Sequence, residues 1–246
     1  MPPRLFIDHP LPASGETFAL PAGPARHVQV LRLQPGAPLT LFDGRGGEHA
    51  ASVVQMGRSE VTVQLGAHAA LDRELSLPVT LALGMPANER MDTVIEKATE
   101  LGAVAVQPLL CERSVLRLSG ERALKKVAHW QGVALAASEQ SGRTRVLQVA
   151  PVRSLGEWLR DLPAGDERAR WLLSFDDAKP LASLAAPGAG VVALSGPEGG
   201  LAPAEEALAR AAGFVPVSLG ARVLRADTAP LALLAHLSIA ASIDIA

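Results

Sequence analysis

The sequence predicts an α/β chain of two domains, a small β-barrel over residues 1–75 and a larger domain with a parallel sheet over residues 76–246. Three observations support this fold class. Short alternating segments around an Asp-Gly turn fill the first part. A charged stretch, LDRELSLP, ends at Pro78 and marks the boundary. Beyond it, apolar runs alternate with segments of helical spacing, which is typical of a parallel sheet covered on both faces.

The first domain is predicted from its short strands. RLFID is a strand candidate, and ARHVQVLR, with Val28 and Leu31 three positions apart, favours one short helix. PLTLFDGRGGEHAASVVQ indicates two strands around an Asp-Gly turn. In SEVTVQL apolar and polar residues alternate, which indicates a third strand. A compact barrel of short strands accommodates these segments.

The second domain is predicted from apolar strand segments that alternate with segments whose apolar residues have helical spacing. VTLALGM is an apolar strand, and ANERMDTVIEKATELG is a helix that ends at Gly102, where a C-cap glycine belongs. AVAVQPLL is the next strand, and ERALKKVAHWQGVALAASEQ is a long amphipathic helix. The alternation continues through RVLQV, SLGEWLRDL, RWLLSF, GVVALS, PAEEALARAA, FVPVSL and APLALLAHLSIAASI.

Composition excludes several classes of protein. Cys111 is the only cysteine, so no intrachain disulfide is possible. No apolar run reaches the roughly 18 residues that span a bilayer, and MPPRLFIDHP lacks the apolar region of a signal peptide. The six histidines show no metal-ligand spacing, so no metal is expected. These features predict a cytoplasmic protein without a membrane or metal partner.

Charge is distributed unevenly along the chain. The net charge is −2, yet residues 113–145 carry seven basic and two acidic side chains. A local basic surface of this kind can bind a polyanion, although a solvated helix with its loops explains the same charges.

Two strand ends carry unusual loops, LSGPEGG (194–200) and SLGARVLRADTAP (218–230). Ligands of an open parallel sheet bind beyond the carboxyl ends of its strands. Glycines there permit positive φ and bring backbone N–H groups close to a ligand. Neither loop matches a Walker or dinucleotide-binding pattern, so a nucleoside-type ligand is favoured over a diphosphate. The alternative is that both are ordinary strand-to-helix connections.

LSGPEGGL followed by LGARVLRADT resembles the 16S ribosomal RNA uridine-N3-methyltransferases of the SPOUT superfamily, which use S-adenosylmethionine. RLFID, HVQVLRLQPG and LFDGRGGEHAA resemble the PUA-like, RNA-binding N-terminal domain of that family. MDTVIEKATELGAVAVQPLLCERSV and KKVAHWQGVALAASEQSGR resemble its methyltransferase domain. The resemblance implies a C-terminal deep trefoil knot, a homodimer with the active site near the subunit interface, and 16S rRNA of the small subunit as substrate.

The resemblance also implies site residues. S-adenosylmethionine is expected to lie against the backbone of Leu194, Gly196, Gly199, Gly200, Leu219, Gly220 and Leu224. Arg225 is the candidate for stabilising negative charge on the uracil oxygens, and Asp227 is the candidate general base or, alternatively, a helix N-cap. The candidates for contacts to RNA phosphates are Arg4, His27, Arg32, Arg113 and Arg143.

Two positions depart from the family pattern. Ala226-Asp227 stands where the family has Thr-Glu, and Ser138 stands where it often has Cys, which argues against covalent catalysis through a cysteine there. Two other functions remain open: another SPOUT RNA methyltransferase, acting on a ribose 2′-hydroxyl or on guanine N1 of transfer RNA, and a non-catalytic RNA-binding protein. A nicotinamide-dependent oxidoreductase is disfavoured by the missing glycine fingerprint.

Overall fold

The computed structural model describes residues 2–58, 60–185 and 187–242. The chain divides into two compact units. Unit 1 contains Met1–Glu74 and Ser138–Val146, and unit 2 contains Leu75–Ala137 and Leu147–Ala246. The sequence analysis assigned everything after residue 75 to the second domain, whereas residues 138–146 cluster with unit 1 in the structure.

Unit 1 is built on a five-stranded sheet with the order β1-β3-β4-β5-β2. Its elements are β1 (Arg4–Phe6), β2 (Thr17–Ala19), α1 (Ala22–Val30), β3 (Pro38–Phe42), β4 (Glu48–Met56) and β5 (Val61–Ala69). Strand β1 runs parallel to β3, and the other pairs are antiparallel. Alternate residues of β5, namely Val61, Val63 and Leu65, are buried in the core of this unit, as the period of a half-buried strand requires.

Buried ion pairs attach the segment 138–146 to the rest of unit 1. Arg143 is ion-paired with Glu74, and Arg4 is ion-paired with Glu48 and donates to the Arg143 carbonyl at 3.0 Å. The Phe6 N–H donates to a carboxylate oxygen of Glu139 at 2.9 Å. These pairings explain why the segment leaves the domain to which its position in sequence assigned it.

The same contacts involve Arg4 and Arg143, two of the residues predicted to bind RNA phosphates. Their side chains are 7% and 4% exposed, and both guanidinium groups face carboxylates inside unit 1. A buried arginine cannot leave such a partner without leaving an uncompensated charge behind. Both residues therefore have a structural role.

Unit 2 contains an eight-stranded sheet in which every pairing is parallel, which confirms the predicted parallel sheet. The strand order is β11-β13-β10-β12-β6-β7-β8, and β9 also pairs with β7. The strands are β6 (Val79–Gly84), β7 (Ala105–Leu110), β8 (Gln148–Val149), β9 (Arg153–Ser154), β10 (Ala169–Leu173), β11 (Lys179–Pro180), β12 (Val191–Ser195) and β13 (Val215–Ser218). The helices are α2 (Asn88–Glu100), α3 (Gly120–Ser141), α4 (Leu155–Arg160), α5 (Pro203–Ala211) and α6 (Thr228–Ser242), and the last turn of α3 belongs to unit 1.

Strand β12 shows why its sequence is apolar throughout. Val191 and Ala193 join the core that also contains residues of α2, α3 and α6, whereas Val192 and Leu194 join a second core with residues of α4 and α5. Because the strand is covered on both faces, no alternation of polar residues appears in it.

Helix α2 ends as its sequence predicts. Gly102 has a φ of +92°, and its N–H donates to the Thr99 carbonyl at 3.1 Å. The Ala103 N–H reaches back to the Ala98 carbonyl at 2.9 Å, which completes a Schellman motif. The chain therefore turns directly from α2 into β7.

The strand order brings the carboxyl ends of β13, β10, β12, β6 and β7 side by side. Both glycine-containing loops leave the sheet at this edge, since one follows β12 and the other follows β13. Among the described residues, none of the helices combines the length and the apolar character required to cross a membrane.

Candidate cofactor site and active site

A cavity of about 720 Å³ opens in unit 2 at the carboxyl ends of β10, β12 and β13. Its wall is formed by segments 173–175, 195–201 and 222–226, together with Arg90, Glu206, Val217, Leu219 and Ala229. The volume falls within the range of sites for small organic ligands and cofactors, roughly 300–1,000 Å³.

The loop after β12 folds back tightly on itself. A Cβ on Gly196 would lie 2.8 Å from the Leu201 nitrogen, so only glycine fits at that point. Gly200 has a φ of +67°, and its N–H donates to the Pro197 carbonyl at 2.8 Å. These glycines are required for a compact turn whose backbone lines the cavity.

Contacts with two neighbouring segments, the start of α2 and the loop after β7, hold this turn in place. Glu198 accepts hydrogen bonds from the Ala87 N–H at 3.0 Å and from Arg90 at 3.4 Å. Arg113 donates to the carbonyl oxygens of Gly199 at 3.0 Å and Leu201 at 3.3 Å. Arg113, a predicted RNA contact, therefore supports the loop after β12 in this structure.

Helix α5 begins directly behind this loop. The Glu205 carboxylate accepts from the Ala202 N–H at 2.9 Å and from the Glu112 N–H at 2.8 Å. Pro203 occupies the first helical turn, where its missing N–H costs nothing. The start of α5 is thus fixed to the loop after β7.

The loop after β13 carries cations into the cavity wall. Gly220 has a φ of +112°, and its N–H bonds to the Ser218 hydroxyl at 3.2 Å. Arg222 and Arg225 line the cavity and are exposed, and neither has an ion-pair partner within the part of the chain that the structure describes. Asp227 is half-buried, and its carboxylate lies 3.4 Å from the Thr228 hydroxyl at the start of α6.

The structure brings most of the predicted site residues together. Of the predicted cofactor-binding residues, the ones that line the cavity are Gly196, Gly199, Gly200, Leu219 and Leu224. Leu194 is fully buried inside β12, and neither it nor Gly220 lines the cavity. Arg225 lines the cavity whereas Asp227 does not. His27 and Arg32 are exposed on unit 1.

Ser174, Phe175 and Glu206 are among the wall residues that were not predicted as site residues. Ser174 and Phe175 follow β10, and Phe175 is 57% exposed. Glu206 lies in the first turn of α5, and its carboxylate accepts a hydrogen bond from the Ser174 hydroxyl at 3.2 Å. Ser174 and Phe175 could have been predicted, because they stand at the carboxyl end of the RWLLSF strand and ligands of a parallel sheet bind at that edge.

Cys111 lies behind the cavity wall and is not a nucleophile. Its side chain is buried, and burial raises the pKa of its thiol to about 12, with the nearby Glu205 carboxylate acting in the same direction. The thiolate is the reactive form of cysteine, so the group is inert at neutral pH.

Comparison with known proteins identifies the family. The model of the RNA methyltransferase domain matches residues 73–238, and the model of the RNA methyltransferase PUA domain matches residues 25–66. The ribosomal RNA small subunit methyltransferase E of Synechocystis is 36% identical over 226 residues, which span 90% of this chain and 73% of that protein.

Two solved structures are similar over nearly their whole length. The ribosomal RNA small subunit methyltransferase E of Neisseria gonorrhoeae bound to S-adenosylmethionine has a TM-score of 0.92 at 37% identity and covers 98% of both chains. A methyltransferase of Legionella pneumophila in complex with the same cofactor has a TM-score of 0.91 at 30% identity, again with 98% of both chains covered. The chain, with its PUA domain, cavity and paired glycine loops, belongs to the ribosomal RNA small subunit methyltransferase E family, as the resemblance of its motifs predicted.

Proposed function

We propose that this chain transfers a methyl group from S-adenosylmethionine to N3 of one uridine in the 16S rRNA of the small ribosomal subunit. The observation that carries the proposal is the cavity between the two glycine loops, with the Arg225 guanidinium, which has no side-chain partner among the described residues, in its wall. Relatives with this fold have been solved with S-adenosylmethionine bound.

The residues of the cavity fit this cofactor. Backbone of the turn at 196–200 and the apolar side chains of Val217, Leu219 and Leu224 form a surface suited to a purine nucleoside. S-adenosylmethionine supplies an electrophilic methyl group. The contribution of the protein is to hold the uracil ring so that N3 faces that group, which is a task of positioning.

Arg225 supports the reaction electrostatically. Loss of the N3 proton leaves negative charge on the uracil oxygens, and a guanidinium can donate two hydrogen bonds to such a group. Ala226 and Ala229 place the positive N-terminal end of α6 at the same wall. Asp227 does not line the cavity, so its geometry supports a role at the first turn of α6, and we assign no proton transfer to it.

The RNA backbone is held by exposed cations on both units. His27 and Arg32 are exposed on unit 1, and Arg113 and Arg222 are exposed on unit 2. Phosphate contacts of this kind fix the register of the RNA without reading its sequence.

Replacing Arg222 with Ala is expected to weaken RNA binding and to lower its dependence on salt. A lost phosphate contact reduces the slope of log affinity against log salt by about 0.7–0.9. Binding of a labelled 16S rRNA fragment, measured across a salt series, tests this. Arg153→Ala is the control, because Arg153 is ion-paired with Asp161 and does not line the cavity. Equal slopes for both variants would exclude Arg222 from the RNA contacts.

A homodimer is the second part of the proposal, and helix α6 supports it. This helix carries no charged side chain among its described residues, and Ala232, His236 and Ile239 leave one face exposed, with Ile239 at 67%. An apolar helix is stable in water when such a face is covered. Sedimentation should therefore give the mass of two chains, and Ile239→Glu should shift it to that of one chain.

The deep trefoil knot is the third part. Its support is the strand order, in which β13 lies beside β10 and not beside β12, the strand that precedes it in the chain. Helix α6 then returns to pack against α2 and β12. This strand order and the packing of α6 are the two observations on which we propose the knot.

The function is tested by giving unmethylated small subunits and S-adenosylmethionine to the purified protein and analysing the RNA nucleosides by mass spectrometry. N3-methyluridine supports the proposal. A 2′-O-methylated nucleoside or N1-methylguanosine would instead indicate another SPOUT specificity. Absence of both product and cofactor binding would indicate a non-catalytic RNA-binding protein.

A further inference from the structure

Glu206 is a carboxylate in the wall of the cofactor cavity, and the described residues use only part of its hydrogen-bonding capacity. Its side chain is 23% exposed, and its two oxygens lie 3.2 and 3.4 Å from the Ser174 hydroxyl. The guanidinium of Arg210 lies 3.9 Å from Oε2, beyond hydrogen-bond distance. A carboxylate offers about four acceptor positions, so one hydroxyl leaves most of them open.

The two neighbouring acidic residues differ from Glu206 in this respect. Glu198 accepts from the Ala87 N–H and from Arg90, and Glu205 accepts from two backbone N–H groups through its two oxygens. Their carboxylates are used to hold the loops together. Glu206 is half-buried beside them without a backbone donor among the described residues.

We propose that Glu206, oriented by Ser174, accepts hydrogen bonds from the vicinal ribose hydroxyls of the nucleoside cofactor. This inference rests on the proposed function, since it assigns one subsite of the same cavity. A carboxylate can accept from two adjacent hydroxyls at once, which is how acidic residues recognise ribose in dinucleotide-binding proteins.

Two features favour the ribose over the ammonium group of the cofactor. Arg210 already supplies positive charge 3.9 Å from Glu206, so a neutral diol suffices as the remaining partner. Phe175 follows Ser174 directly and lines the same wall with a largely exposed ring. A purine base stacked on that ring brings the attached ribose to Ser174 and Glu206.

Calorimetry with four ligands and two variants tests the assignment. The ligands are S-adenosylmethionine, S-adenosylhomocysteine, 5′-methylthioadenosine and its 2′-deoxy analogue. The unmodified protein should bind 5′-methylthioadenosine about tenfold more tightly than the 2′-deoxy analogue, since a hydrogen bond to a charged group is lost in the latter. In Glu206→Gln this preference should fall to near equality. Glu121→Gln, which changes an exposed glutamate on α3, is the matched control and should retain it.

Three results would overturn the assignment. A Glu206→Gln protein that keeps the preference for the hydroxylated ligand has no ribose contact at this residue. Weaker binding of S-adenosylhomocysteine with unchanged binding of 5′-methylthioadenosine would place the ammonium group at Glu206. Failure of the unmodified protein to bind any of the four ligands would reject the proposed function together with the subsite. An unchanged unfolding temperature of Glu206→Gln shows that the comparison is made on folded protein.

Discussion

Replacing Arg225 with Ala should lower the turnover of uridine methylation by about 10²–10³-fold, the usual effect of removing one donor that stabilises developing negative charge. The affinity for S-adenosylmethionine should stay close to that of the unmodified protein, because the Arg225 side chain is exposed and makes no hydrogen bond or ion pair within the described residues, and the substitution leaves its backbone carbonyl, which accepts from the Thr228 and Ala229 N–H groups, in place. Single-turnover methylation of small subunits and calorimetry with the cofactor measure the two quantities separately.

The conservative variant sharpens this test. Arg225→Lys keeps the positive charge but loses the planar fork, so it should recover only part of the lost turnover. Full turnover in Arg225→Ala would exclude this residue from the reaction. Loss of cofactor affinity in both variants would instead give Arg225 a structural role in the loop after β13.

Gly84→Ala should disturb the cofactor site although Gly84 does not line the cavity. A Cβ at this position would lie 2.5 Å from Cδ of Pro197, 2.6 Å from its nitrogen and 3.0 Å from the Cys111 sulfur. The backbone of the turn after β12 must therefore move, at a cost of about 1–3 kcal/mol for overpacking. We expect cofactor affinity to fall at least tenfold, since one tenfold step corresponds to about 1.4 kcal/mol.

Gly132→Ala is the control for this substitution. Gly132 lies within α3, and a Cβ there would meet no atom within 4 Å. Cofactor affinity should stay unchanged, and the free energy of unfolding should rise by up to about 1 kcal/mol, because alanine is the better helix former. Unchanged cofactor affinity in Gly84→Ala would show that the turn after β12 adapts to the added methyl group.

The elements that sequence analysis predicted are those with a clear period or a strong stop signal. The apolar residues of helix α2 recur with the helical period of about 3.6 residues, and Gly102 follows its end as a stop signal. Strand β12 is an almost uninterrupted apolar run. The strands that sequence analysis missed have two or three residues each, as in β2, β9 and β11. Such strands are too short to show a period, and only their pairing partners define them.

Ion pairs between residues far apart in the sequence explain the other differences between the predicted and the observed structure. Glu74 binds Arg143 from 69 positions away, and no local pattern indicates that partner. The sequence therefore predicted phosphate contacts for Arg4 and Arg143 from their positive charge alone, whereas the fold supplies a carboxylate partner for each. The glycine loops were easier to find, because glycine at the end of a buried strand has few structural explanations.

Glu206 shows the limit of the same reasoning within the site. In PAEEALARAA it is one of two adjacent acids near a helix start, where acidic residues are ordinary. Glu205 accepts hydrogen bonds from two backbone N–H groups, one of which lies in the loop after β7, whereas Glu206 accepts none from the backbone of the described residues. The difference between the two glutamates therefore depends on where that loop is placed by the fold. Sequence cannot supply that information.

The way in which the cavity is assembled has a consequence for biosynthesis. Its wall begins at Arg90 and is completed by Ala229, and β13 must pair with β10 before the second glycine loop meets the first. Contacts between such distant residues form slowly, since long loops must close first. A nascent chain therefore gains its ligand only after nearly all of unit 2 has been made. From then on the bound ligand favours the folded state by mass action, so cells rich in this ligand protect the finished protein but not its incomplete precursors.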